Sequence, residues 1–283
     1  MNAWPAIFLY PPPENDVEMH VFHETTYHYA EPVKRSVQSL RLTPRRDPGQ
    51  RVDHWQLHTP GRTNMQIDAH GNIVHLLTLD EPHREIRIQV RGVIDIATPE
   101  GSFFDEGRLS PLAYLAETPL TVADDELRSF ARQYLRTDTP GRDALMTLCD
   151  AICERVKYRK GVTAVHDAAV QAFKRGEGVC QDHSHIFVAC CRAAGVPARY
   201  VSGYFYPGDV GEVASHAWVD AWLGDDQGWL SLDVTHQAIA AQRYCRLAVG
   251  RDYMEACPVR GVRRGGGDES MHVSVTIAHS AQQ

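Results

Sequence analysis

Cys180, His216 and Asp233 are the residues of this chain whose types and order suit nucleophilic chemistry. A thiol nucleophile needs a base within hydrogen-bond reach, and the base needs an acceptor that fixes its tautomer. Cys180 follows Gly176-Glu177-Gly178-Val179 and leads an apolar segment in which Ile186, Phe187, Cys190 and Ala194 recur at helical intervals. Gly195 and Pro197 supply the stop signals of a helix C-terminus. The spacing therefore predicts Cys180 in the first turn of a mostly buried helix. Unpaired N–H groups and the macrodipole favour negative charge there, which suits a thiolate. The glycines ahead of it let a substrate backbone come close.

The other two residues fall on a predicted hairpin. Ser215–Leu223 reads as a strand with Trp218 and Trp222 on one face, Gly224–Gly228 as its turn, and Trp229–Asp233 as the return strand. Positions 216 and 233 have their midpoint at 224.5, so His216 and Asp233 lie within a residue or two of opposite register. In an acyl transfer Cys180 would attack an amide or ester carbonyl. His216 would pair with the thiolate and protonate the leaving amine, and Asp233 would hold the imidazole. The Cys180 backbone N–H would serve as an oxyanion donor. Each residue also has a structural reading. A cysteine in a Gly-rich turn packs as a small hydrophobe, a histidine opens many strands, and an aspartate ends many. Spacing alone leaves both readings open.

The whole chain constrains the context. Its 283 residues, 43% hydrophobic and 23% charged, are enough for one large or two modest globular domains. A net charge of −7 argues against a nucleic-acid partner. No apolar run reaches the roughly 18 residues that cross a bilayer. The seven cysteines include no C-x-x-C pair, so neither a zinc site nor a disulfide framework is indicated, and a reducing cytoplasm is the expected location. Cys149 and Cys153 lie one turn apart on a predicted helix and read as small core residues.

Taken in order, residues 1–18 read as a disordered leader with three consecutive prolines and no signal-peptide pattern, and translation is expected to start at Met19. Residues 19–98 read as β-rich. Strands are expected at His20–Tyr29, broken by Pro32, then at Val37–Leu42, Val52–His58, Ile73–Leu77 and Glu85–Ile96. Strands at this spacing suggest an antiparallel β-sandwich-like domain. The histidines His20, His23, His28, His54, His58, His70, His75 and His83 are expected to be surface residues rather than metal ligands. Thr98–Gly107 reads as a linker, and 99–283 as the catalytic region. Helices are expected at Asp124–Leu135 and Asp143–Tyr158, a strand at Ala198–Tyr206, and a flexible arginine-rich loop at Arg260–Gly267. The alternating tail Val273–Ala278 would close a sheet.

Several motifs together resemble the core of the bacterial transglutaminase-like superfamily, a group described as cysteine protease candidates. They are Gly178-Val179-Cys180-Gln181-Asp182, Ala193–Tyr204, Ser215-His216-Ala217-Trp218-Val219 and Trp229–Thr235. Tyr27, Tyr29, Pro32, Leu40–Pro44 and Asp68–Asn72 are similar to the N-terminal region of one bacterial branch, as Gly250–Tyr253, Pro258–Gly261 and Gly265-Gly266 are to its C-terminal segment. The resemblance implies an α+β fold with a papain-like core and a catalytic triad of Cys180, His216 and Asp233. It implies no cofactor and no metal. The implied substrate is a peptide or protein carrying a carboxamide, with water or an amine as acceptor. His183-Ser184 and Val234 depart from the family pattern. His183, one turn from Cys180, is not expected to be the base. Two other classes remain: a non-catalytic protein that holds a peptide in the same cleft, and a chelator-sensitive metal hydrolase.

Overall fold

A computed structural model describes residues 17–97, 101–105, 107, 109–207 and 215–280. The leader expected over 1–18 lies outside the described residues except at its end, where Val17 and Glu18 already belong to the first strand. The linker expected at 98–107 is likewise described only in part.

The N-terminal sheet is organised by β1 (Val17–Leu40), a 24-residue strand. Pro32 does not end it. The ladder shifts register between His28 and Val33, which accommodates the missing N–H, and the strand continues to Leu40. The first half of β1 pairs with β5 (His83–Ile96), which pairs in turn with β2 (Gln50–His58). Its second half pairs with β4 (Ile73–Leu79), flanked by β3 (Arg62–Ile67). All these strands are hydrogen-bonded through β1 into one antiparallel sheet.

The second sheet is antiparallel too, in the order β12 (Ala238–Ile239), β11 (Trp229–Asp233), β10 (Ser215–Trp222), β9 (Ala198–Phe205) and β13 (Tyr244–Gly250). Two residues of the expected linker form β6 (Ser102–Phe103) and pair with β11, so that stretch is partly sheet. A 3-10 turn spans Pro111–Leu115. Helices α1 (Asp125–Tyr134), α2 (Arg142–Arg155), α3 (Ala169–Arg175) and α4 (Cys180–Ala193) follow, with the short parallel pair β7 (Lys157–Tyr158) and β8 (Glu177–Gly178) between them. Asp124 caps α1, accepting a bond from the Leu127 N–H. Helix α4 is buried on nearly every side, with α1, α2 and α3 over it and β9 and β10 beneath. One apolar core runs from Leu127 and Leu148 through Ile186 and Cys190 to Val219 and Leu232. Among the described residues no helix is long and apolar enough to cross a membrane.

The C-terminal stretch differs from the sequence reading. After α5 (Tyr253–Ala256), residues 259–265 form β14 rather than a flexible loop, and β15 (Glu269–Ser280) follows. Gly265, Gly266 and Gly267, all at positive φ, join the two strands end to end along one edge of β1. Both strands pair with β1, so the alternating tail closes the N-terminal sheet and not the second one. Arg263 is held across this junction by Glu269 and the Gly267 carbonyl. Of the histidines expected at the surface, His20, His28, His54 and His58 are exposed. His23 is buried, its ring bonded to the Tyr204 hydroxyl at 2.7 Å and to Thr25 at 2.8 Å, and burial lowers its pKa to about 4.

Charge joins the two sheets. Arg45 contacts Asp47, Asp47 contacts Arg246, and Arg246 contacts Asp220. Asp220 contacts Arg199, Arg199 contacts Asp105, and Asp105 contacts Arg45 again. The ring of three arginines and three aspartates is closed, alternating in sign and buried throughout, with Asp220 at 0% side-chain exposure. Burial alone would raise the Asp220 pKa, but Arg246 and Arg199 outweigh it and hold the carboxyl below its usual value. A depressed carboxyl stabilises the fold above its unfolded pKa of about 4, and that contribution is lost as pH falls through the folded value. Asp220→Ala would strand two guanidinium charges out of water. The expected loss is about 3–5 kcal/mol in urea unfolding at neutral pH.

Candidate active site

The position of Cys180 is fixed at both ends of α4. At the N-terminus Asp182 turns back so that its Oδ2 accepts the Val179 N–H and the Thr163 hydroxyl, both at 2.8 Å. A Cβ at Gly178 would sit 2.7 Å from the Asp182 Cβ, so only glycine leaves room for that carboxylate. The preceding strand is pinned by Arg159, whose N–H donates to the Gly178 carbonyl at 2.7 Å. At the C-terminus Gly195 adopts φ 80°. The Val196 N–H reaches the Cys191 carbonyl at 2.9 Å, and the Gly195 N–H reaches that of Arg192 at 3.0 Å, which is a Schellman closure. The buried Arg192 guanidinium donates to the carbonyls of Tyr114, Ala198 and Arg251 and to the Thr121 hydroxyl. Cys180 is left half-buried, against a cluster that includes Tyr200 and Ala217.

His216 lies on β10 opposite Gly203 of β9. A Cβ at Gly203 would meet the Trp218 ring at 2.5 Å, so this glycine makes space for the indole. Trp218 in turn stacks beside His216, with centroids 6.2 Å apart and planes at 25°. The hairpin pairs Val219 with Leu232 and Asp220 with Ser231. That ladder puts Asp233 opposite position 218, two residues from His216 and on the same face, within the residue or two of register expected from the midpoint. The His216 Nε2–H donates to Asp233 Oδ2 at 2.6 Å, and the Cys180 side chain lies near enough to the imidazole to help raise its pKa. Burial would lower the His216 pKa. Hydrogen bonds to Asp233 and Cys180, with their charges, outweigh it and push the pKa up to about 10.

Asp233 is fully buried and saturated with donors. Besides His216, its Oδ2 accepts from His236 Nδ1 at 2.6 Å and from the Tyr244 hydroxyl at 2.9 Å, while Oδ1 accepts the His236 backbone N–H at 3.1 Å. Burial opposes ionisation here, yet the bonds from His216 and His236 hold the carboxyl well below the usual range. Phe205 lines the group, with its ring centroid 5.5 Å from that of His216 and 4.7 Å from those of His236 and Tyr244. His216, Asp233 and His236 each bring one ligand atom within 4.8 Å of the others. His216 Nε2 and His236 Nδ1 both already bond Asp233 Oδ2.

The three residues singled out by spacing thus meet at one point. His183 does not join them. It is buried, donating from Nε2 to the Val156 carbonyl at 3.0 Å and meeting Thr235 Oγ1 at 3.1 Å, and burial lowers its pKa. His236 and Tyr244 escaped the sequence reading. The interval of three from Asp233 to His236 is that of a side-chain cap, in which an aspartate accepts the N–H three residues on, and it is the one signal that marked His236 beforehand. Nothing in the sequence marks Tyr244.

Residues 128–234 match the Transglutaminase-like superfamily, and residues 19–95 match the Bacterial transglutaminase-like N-terminal region. An uncharacterized protein of Mycobacterium leprae is 31% identical over 287 residues, covering 93% of this chain and 99% of that protein. A protein-glutamine gamma-glutamyltransferase of Pseudomonas aeruginosa is 34% identical over 107 residues, which is 33% of this chain and 16% of that protein. Among solved structures, a candidate cysteine protease from Cytophaga hutchinsonii superposes with a TM-score of 0.78 at 19% identity, covering 95% of this chain and 93% of the other. That likeness is one of fold.

Gly178→Ala tests how the thiol is positioned. The added methyl would displace Asp182 from the helix N-terminus, and the rate of Cys180 alkylation is expected to fall about tenfold. Stopped-flow labelling compared with a thermal melt would check it.

Proposed function

The chain belongs to the transglutaminase-like superfamily, in the branch with the bacterial transglutaminase-like N-terminal region, and on that footing we propose that it is a cysteine-dependent acyl-transfer enzyme acting on amide or peptide bonds. The observation that carries the proposal is the imidazole of His216, which bonds a fully buried Asp233 carboxylate at 2.6 Å and lies beside the Cys180 side chain. A thiol on a helix N-terminus with a strand-borne imidazole beside it supports the papain-like core that the family resemblance implies.

The roles follow from the geometry. Cys180 is the nucleophile, and its sulfur attacks the carbonyl carbon of a carboxamide. The Cys180 backbone N–H is among those at a helix start that lack an intrahelical acceptor, and it supports the developing oxyanion. His216 gives its proton to the departing nitrogen as the C–N bond breaks, leaving a thioester. Water or an amine then attacks the thioester, its proton passes to His216, and the thiolate leaves. Asp233 keeps the imidazole oriented and stabilises its charged form. Water as acceptor makes the enzyme a peptidase or amidase, and an amine makes it a transglutaminase. We favour hydrolysis because water is the more abundant acceptor. The substrate is a peptide or protein carrying a carboxamide, with no nucleic acid or membrane partner. All seven cysteines are unpaired, and the proposed location is the reducing cytoplasm.

Iodoacetamide labelling separates an enzyme from a peptide-holding protein. Fast labelling at Cys180 that is lost in Cys180→Ala and falls about a hundredfold in His216→Ala supports the enzyme. Slow labelling, unchanged in His216→Ala, would overturn it. A peptide and amine library read by mass against Cys180→Ala then identifies the acceptor. Asp233→Asn provides a pH test. The imidazole pKa is raised, so the charged pair persists below it and is lost as pH rises toward about 10. Without the carboxylate that alkaline limb is expected to move down toward the ordinary imidazole value of about 6.5.

A further inference from the structure

The Asp233 side chain must aim one oxygen at His216, yet the backbone pairing of Asp233 with Ala238 does not fix the rotation of the carboxylate. Strand β11 stops at Asp233, and β12 resumes five residues later at Ala238. What restrains the carboxylate is the turn between them. His236 reaches back with two donors, its ring Nδ1–H to Oδ2 at 2.6 Å and its backbone N–H to Oδ1 at 3.1 Å. The two bonds grip both oxygens of one carboxylate and so fix its rotation. The turn is itself constrained. Gln237, the next residue, has φ 53° and is the one non-glycine at positive φ among the described residues. Such a conformation is strained for a residue other than glycine and persists where the surroundings require it. The imidazole of His236 packs on Phe205 at 4.7 Å, and the same ring also contacts His216 and Tyr244. With its side chain 46% exposed, His236 is not a core residue held by burial.

We propose that His236 is a positioning residue of the reaction: its ring and backbone N–H groups clamp the two oxygens of Asp233 so that Oδ2 stays directed at His216. The inference rests on the catalytic roles proposed above. His236 makes no bond to Cys180 in its own right and acts only through the aspartate. Tyr244, from β13, donates to the same oxygen from the buried side, so the clamp and the tyrosine close on the carboxylate from two directions. The charged and titratable groups facing Asp233 are His216 on β10, His236 on the turn, Tyr244 on β13, His183 on α4, and Cys149 and Cys153 on α2.

The test uses the full chain and iodoacetamide, with labelling rate followed across pH 5–11 and folding checked by thermal melt. His236→Ala removes the ring donor. His236→Asn restores an amide N–H at the position of Nδ1. The alanine variant is expected to label about tenfold more slowly at neutral pH, and its alkaline limb, which reports His216, to move down by about one unit. The asparagine variant should return both to within about threefold of wild type. If the alanine variant does not fold, the asparagine variant is the test. A limb that superimposes on wild type supports the clamp, and one displaced as far as that of Asp233→Asn overturns it. A folded alanine variant with the wild-type limb also overturns it, as does a folded asparagine variant as impaired as alanine. Slow, His216-independent labelling of the wild type would instead defeat the catalytic reading, so the two failures are distinguishable.

Discussion

The ring of Arg45, Asp47, Arg246, Asp220, Arg199 and Asp105 is the constraint on which the arrangement of this molecule depends. Six charges out of water are costly one at a time and tolerable only as a closed, neutral set. Its members come from the segment after β1, the segment after β6, and strands β9, β10 and β13. The two sheets therefore meet in one relative placement. Arginine suits this task because its planar fork serves several acceptors at once, and Arg199 also lies 4.2 Å over the Trp229 ring. Such a ring specifies geometry more than it adds stability.

A second buried carboxylate, on the neighbouring strand, does different work. Asp220 is answered by guanidinium groups that remain charged at any ordinary pH, whereas Asp233 is answered by imidazoles and a phenol. The first setting is static. The second places a carboxylate beside a group able to gain and lose a proton, and His216 is that group. Trp218 stands on β10 between His216 and Asp220, so a single strand carries both the fixed charge pair and the labile one. The face of β10 that bears Val219 and Ala221 packs into the helical core, which ties this strand to α4 and hence to Cys180.

Much of this was legible in the residues because local signals agreed. The glycines before Cys180, the apolar period of its helix and the Gly195 stop are each short-range, and the helix runs from Cys180 to Ala193 as they indicate. The hairpin of His216 and Asp233 was legible to within two residues, since turn chemistry and alternation both point to it. Long-range pairing was not. Pro32 is a local breaker, but strands on either side hold β1 together across it. Arg260–Gly265 looks like a solvated loop because a one-sided, exposed edge strand has no apolar alternation to display. His23 resembles any strand histidine, and only the Tyr204 hydroxyl 181 positions away makes it a core residue. The charge ring was invisible for the same reason.

The pairing of β1 with β15 joins Glu18 to Ser280 and Tyr29 to Glu269. The strand that organises the N-terminal sheet thus receives one of its two neighbours from the last part of the chain. On a ribosome β1 emerges early, and its edge stays uncovered until some 250 further residues have been made. So wide a separation makes final closure slow and leaves a hydrogen-bonding edge open to other strands meanwhile. Until β15 has been made, that edge of β1 is a place where the nascent chain is open to association.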